Sequence, residues 1–178
     1  MEGPITDMRQ DAVKQVQQFR AQHNTSAAGA ALKTLKENAN LQRVGQRKAN
    51  RLQGGESAGV IPEDTRSPLD RAKDNDIGAS DCTKVLEIIG CGATSVTEIM
   101  EAMIADEDCK AALLDADVGY IGVGVGGSEN TLFLVIELGQ RPMEGAPELP
   151  EMEEFQSYFT GENLLSLPDR QVEVYVNE

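Results

Sequence analysis

Apolar residues recur in this chain with two different periods, and the switches between them mark out its elements. Val96, Ile99, Met100, Met103 and Ile104 repeat at spacings of three, four and seven, which puts them on one face of a helix. Ser95 followed by Glu98 is a capping box, so that helix is predicted to start near Val96. Downstream, Gly119 to Val125 and Thr131 to Leu138 read as strands. Gly126-Gly127-Ser128-Glu129 between them is a glycine-bearing tight connection that predicts an antiparallel hairpin. Thr131 to Leu138 is apolar at nearly every position, so both of its faces are expected to be covered, with helices above and below.

The same reading places a helix from Thr6 to about Gln22, with Met8, Ala12, Val13, Val16 and Phe19 inside and Gln or Arg outside. A second helix is predicted over about Glu37 to Gln53, burying Leu41, Val44, Gly45, Ala49 and Leu52 and ending at Gly54-Gly55. Gly45 is costly inside a helix and predicts close approach of another backbone. On the outer side Arg43, Arg47 and Arg51 fall at i, i+4, i+8. This stripe is a candidate surface for an acidic partner, against the simpler reading of a solvated charged face. Residues 24–31 are small and read as a connection, and residues 54–80, rich in Gly, Pro, Asp and Ser, as a long loop. Cys82 to Ile89 is a short strand or an irregular segment. Beyond Leu138, Pro142, Pro147 and Pro150 enforce an extended connection. Glu151 to Phe159 then reads as a short acidic helix carrying Phe155, Tyr158 and Phe159, further partner-binding candidates. Val172, Val174 and Val176 alternate as an edge strand does.

Composition narrows the function. A chain of 178 residues suits one domain with extensions. Here those are a domain over residues 1–139 and an acidic, Pro-containing extension over 140–178. With 4% aromatic residues and no Trp, the core has to rest on aliphatic residues, Ala and Met. A net charge of −14 argues against nucleic-acid binding, which needs cations to neutralise phosphate, and disfavours adhesion to anionic membrane. The charge is uneven: residues 1–55 hold nine Lys or Arg against four acids, and residues 141–178 hold nine acids against two Arg. No run is long enough to span a bilayer. Three cysteines, Cys82, Cys91 and Cys109, cannot all pair within the chain. Together with an N-terminus lacking the apolar stretch of a leader, they predict an intracellular, reducing setting in the cytoplasm or cytoskeleton. Asn24-Thr25-Ser26 spells a glycosylation acceptor, a pattern short enough to arise by chance.

The order of the pieces resembles the CAP superfamily, the SCP-domain proteins that include cysteine-rich secretory proteins, antigen 5 and plant pathogenesis-related proteins. Gln18-Phe19-Arg20-Ala21-Gln22-His23-Asn24 is similar to the end of the family's opening helix, with its Arg-x-x-His. Leu41 to Leu52 is similar to its next helix. The family then has Gly-Glu-Asn-Ile, a Ser-capped helix, Gly-His-Arg-x-x-Ile-Leu, Gly-Val-Gly-Val and a final apolar strand. Here Glu87 falls at that Glu and Ser95 caps. Cys109-Lys110-Ala111-Ala112-Leu113-Leu114 takes the Gly-His-Arg slot, and Gly122-Val123-Gly124-Val125 follows. The resemblance covers about residues 8–139 and implies an α+β fold, a three-layer α-β-α sandwich with a small antiparallel sheet.

It also implies a cleft where two His and two Glu can hold a divalent ion, and there the chain departs. Its single histidine, His23, sits at the structural helix-end position. Cys109 stands where one cleft His belongs, and Glu56 in Gly55-Glu56-Ser57 is the nearest substitute for the other. A cluster of Glu56, Glu87 and Cys109 is the candidate remnant site. No metal or other cofactor is expected there, because imidazole ligands are missing. A Cys109 nucleophile needs a base in reach, and only His23 offers one. Gly122 to Gly127 belongs to a strand and hairpin and lacks the lysine of a phosphate loop. Its glycines are expected to let backbones crowd together. The expectation is therefore a non-catalytic module that touches other proteins in a larger assembly, such as a cytoskeletal or ciliary lattice. Two alternatives remain open: a carrier of lipid or another small apolar ligand, and a residual metal-dependent hydrolase around Glu87.

Overall fold

The computed structural model describes residues 5–23, 31–53, 69, 84–93, 95–128, 131–140 and 173–177. They form α1 (Ile5–His23), β1 (Lys36–Glu37), α2 (Ala39–Gln53), β2 (Val85–Ala93), α3 (Val96–Ala105), α4 (Glu107–Leu113), β3 (Tyr120–Ser128), β4 (Thr131–Gly139) and β5 (Glu173–Asn177). The glycosylation triplet at 24–26, most of the loop at 54–80 and the prolines after 140 lie outside the described residues.

Side-chain alternation builds the three layers. Leu86 and Ile88 of β2, Val123 and Val125 of β3, and Leu134 and Ile136 of β4 share one core with α1, α3 and α4. Their neighbours in the same strands point the other way, where Ile89, Cys91, Phe133 and Val135 meet Ala49 and Leu52 of α2. The strand order is β1-β3-β4-β2-β5. β1 is parallel to β3 and the other pairings are antiparallel. The expected α-β-α sandwich is thus present, with one short parallel pairing in its otherwise antiparallel sheet.

Both predicted strands form the predicted hairpin, closing at Ser128 opposite Thr131. Ser95 caps α3: its Oγ accepts from the Glu98 amide at 3.2 Å and donates to the Glu98 carboxylate at 3.2 Å. The segment read as a short strand or irregular piece up to Ile89 contains the start of β2, a nine-residue strand from Val85 to Ala93 buried along its whole length, while Cys82 lies outside the described residues. It lies between β4 and β5, and its bulge between Cys91 and Ala93 falls at Gly92, where φ is 97°.

β3 explains the alternating glycines. Gly122 and Gly124 face α2, and a Cβ on Gly124 would stand 2.3 Å from the Gly45 carbonyl carbon. Gly45 answers from the helix: its own added Cβ would lie 3.2 Å from the Gly124 amide nitrogen. The predicted close approach is therefore helix backbone on strand backbone.

Two expectations fail. Glu37 does not start α2; Lys36 and Glu37 pair with Tyr120 and Ile121 instead. Asn38 then caps α2, its Oδ1 accepting from the Asn40 and Leu41 amides. Arg9 and Arg20 of α1 are not on the outside, with only 7% and 2% of their surface exposed. Arg20 donates to the carbonyls of Leu113, Asp115 and Lys33. Arg9 donates to Val123 O at 2.9 Å. Past the end of β1, Gln46 replaces a missing strand: it takes the Val125 N–H at 2.9 Å and gives an N–H to the Val125 carbonyl at 2.7 Å. Side chains thus satisfy an edge that would otherwise leave backbone groups open.

Candidate functional site

Glu87 and Glu137 stand opposite each other on β2 and β4. Both are 0% exposed, as is Lys48. Alternation places the two carboxylates on the α2 face, in phase with Val85 and Ile89 on one strand and Phe133 and Val135 on the other. Directly opposed residues of an antiparallel pair have Cβ atoms roughly 5 Å apart, so the two acids are immediate neighbours. α2 packs against Glu137. A Cβ on Gly45 would come within 3.2 Å of Glu137 Cγ. Both carboxylate oxygens of Glu137, Oε2 of Glu87 and Nζ of Lys48 are shut off from solvent.

Helical phase shows how Lys48 enters this layer. Val44 clusters with Val85, whereas Ala49 and Leu52 cluster with Ile89 and Cys91, so α2, which rests on β3 and β4, reaches β2 through side chains on one flank. Lys48, one turn beyond Val44 on the same helix, is buried with this inward-facing set. Charges taken out of water persist only where opposite charge and hydrogen bonds compensate them. Lys48, Glu87 and Glu137 are all fully buried, and opposite charges at such depth can compensate one another. The sequence reading missed Glu137 and Lys48. The signal was a lone acid in an apolar strand, in phase with Glu87, and a lysine in phase with Leu41, Gly45 and Leu52.

The other candidates disperse. Arg47 is exposed, but Arg43 and Arg51 are half-buried, so the i, i+4, i+8 stripe is not one solvated face. Cys109 is buried in the core formed with α1 and α3, across the sheet from Glu87. The structure does not bring the pair together. Glu56, Cys82, Phe155, Tyr158 and Phe159 lie outside the described residues. His23 is exposed at the end of α1. Its Nδ1 lies 2.9 Å from the Phe19 carbonyl and its ring 4.3 Å from the Phe19 ring, a helix-end role as expected. Among the described residues no three His, Cys, Asp or Glu side chains gather as metal ligands do. No helix among them is long and apolar enough to cross a membrane.

Burial pushes the Cys109 thiol up to about 12, helped by its hydrogen bond to Asp106 and the charges of Asp106 and Asp108. The thiolate is the nucleophile, so Cys109 is inert at neutral pH. We expect iodoacetamide at pH 8 to leave Cys109 unmodified in the folded chain and to alkylate it in urea, as read by peptide mass spectrometry. Labelling of native Cys109 at the rate of the unfolded chain would contradict the burial.

No protein-family model matches the sequence, and no curated protein does. Solved structures do match. An outer surface protein from Borrelia burgdorferi superposes with a TM-score of 0.61 at 18% identity, over 74% of this chain and 91% of that one. An extracellular protein containing an SCP domain from Bacillus anthracis gives 0.61 at 15% identity, over 79% of this chain. The match spans only 45% of the Bacillus protein. Venom allergen-like protein 4 of Schistosoma mansoni gives 0.53 at 14% identity, over 80% of this chain and 97% of that one.

These neighbours overturn the intracellular expectation, since they include an outer-surface and an extracellular protein. The cysteine argument behind it was weak physically. Cys91 and Cys109 are buried on opposite faces of the sheet, so geometry keeps them from pairing with each other, and this carries no information about compartment. With α2 on one face of the sheet, α1, α3 and α4 on the other, and these superpositions, the chain has the fold of the CAP, or SCP-domain, superfamily.

Proposed function

We propose that this chain is a non-catalytic CAP-type module that acts by presenting its surface to other proteins, as an interaction or structural component. One observation carries the reading: the β-sheet separates Glu87 from Cys109, both Glu87 and Glu137 are fully buried, and α2 packs against Glu137. General acid–base or nucleophilic work needs groups within hydrogen-bond reach of a substrate and of one another. Here the acid is fully buried and the thiol is held protonated, which also removes support from a hydrolase centred on Glu87. Fold neighbours from outer surfaces and secretions favour partners met outside the cytoplasm. Arg47 is the exposed member of the basic stripe and the natural contact for an acidic partner.

The test is a photoreactive amino acid placed at Arg47 and, as control, at exposed Gln18 on α1. Incubation with intact cells of the source organism should give a covalent adduct to one protein species from position 47 and none from position 18. No adduct from position 47, or turnover of ester or peptide substrates that falls in Glu87→Gln, would contradict the reading.

A further inference from the structure

We propose that the groove bounded by β2, α4 and β5 is a binding site for a small organic cation with an apolar body, of the alkylammonium class. The groove encloses about 370 Å³. That volume is within the roughly 300–1,000 Å³ typical of small-molecule sites. Its floor is apolar, made by Leu86, Ala112 and Val176, and its rim carries Lys84, Asp108 and Asp115. An apolar floor under a few placed charges is the usual composition of a site that fixes both the body and the head of a ligand.

The rim decides the sign of the head group. Lys84 is already engaged, its Nζ 2.6 Å from Asp115 Oδ2 and 3.4 Å from Asp117 Oδ2. Hydrogen bonding to Asp115 raises its pKa, so the ammonium stays charged and bound to those carboxylates. An anionic ligand would have to compete with both. Asp108 is exposed on the first turn of α4 and stands outside that ion-paired group. Among the described residues, one ammonium against the rim carboxylates of Asp108 and Asp115, with Asp117 also beside Lys84, makes the rim net negative, which draws cations and repels anions. The ammonium of a ligand would meet Asp108 while its alkyl body lies on Leu86, Ala112 and Val176. The site faces the side of the sheet away from α2, so it stands or falls independently of the protein contact proposed at Arg47.

The probe is n-hexylammonium, titrated into the full chain and followed by amide chemical shifts, with hexanoate and hexanol as comparators. Hexylammonium should shift the amides of Leu86, Ala111, Ala112 and Val176, while hexanoate at equal concentration should not. Affinity should rise about fourfold for each methylene from butyl to hexyl, as expected when the added groups leave water. Asp108→Asn should weaken hexylammonium at least threefold, and Ala111→Trp, at an exposed position of α4, should fill the groove and abolish the shifts. Equal response to hexanoate, absence of shifts at those four amides, or indifference to Asp108→Asn would each overturn the proposal.

Discussion

A Gly124→Ala variant is expected to lose about 3 kcal/mol of stability, measured as a lower urea midpoint at unchanged slope. The added Cβ would sit 2.3 Å from both the carbonyl carbon and oxygen of Gly45 and 2.4 Å from the Gln46 amide nitrogen. These are backbone atoms of a helix, with no rotamer to turn aside. Either α2 lifts from β3 or the strand bends. Lifting α2 would also strain the two hydrogen bonds between Gln46 and Val125. Gly119→Ala is the control, because its nearest neighbour would be Lys33 Cδ at 3.8 Å, an ordinary contact with a flexible side chain. That variant should stay within about 0.5 kcal/mol of the parent. Equal stability of the two variants would show that α2 does not rest on the glycine positions of β3.

Removing the charge of Lys48 should have an effect of similar or greater size. Lys48→Met keeps most of the apolar stem but deletes the ammonium from a layer that retains two buried carboxylates. Breaking a buried charge group by removing one member typically costs about 3–5 kcal/mol, because the remaining charge is left in a medium that solvates it poorly. Glu137→Gln alone should also destabilise. The combination of the two should cost less than their sum, with a coupling energy of about 1 kcal/mol or more. Additive behaviour would mean that Lys48 and Glu137 do not share an electrostatic layer, and that α2 is held by apolar contacts alone.

Much of the fold is legible because local rules and tertiary demands agree. The Ser95–Glu98 box, the 3.6-residue stripe of α3 and the glycine-closed hairpin are each encoded within a few residues. Gly45 and the Gly-Val alternation of β3 were both readable as sites of backbone approach, although only the structure shows that they approach each other. β1 was not legible. Two polar residues carry no pattern, and they form a strand only because the β3 backbone offers partners. Arg9 and Arg20 were misplaced because their burial is satisfied by carbonyls far along the chain, Val123 for one and Leu113 for the other. Outward is the correct default for arginine until such acceptors are known.

The candidate site was read less well, and strand parity is the reason. Placing Glu87 and Cys109 in one cluster followed their order in a family-like series. Alternation along β2 sends Glu87 to the face opposite Leu86 and Ile88, the residues that pack with Cys109. The acid that does neighbour Glu87 is Glu137, hidden in a run that looked uniformly apolar. The compartment was misjudged because an odd number of thiols was given more weight than buried, well-separated thiols deserve.

The separation of Glu87 from Cys109 is tested most directly by cadmium titration of a Cys82→Ser, Cys91→Ala variant, in which Cys109 is the remaining thiol. The readout is the ultraviolet charge-transfer absorption of a cadmium–thiolate bond. The account predicts that the folded variant develops no such band at neutral pH, and that the band appears on unfolding. A saturable band in the folded state that weakens in Glu87→Gln would place thiol and carboxylate on one ion and contradict the account.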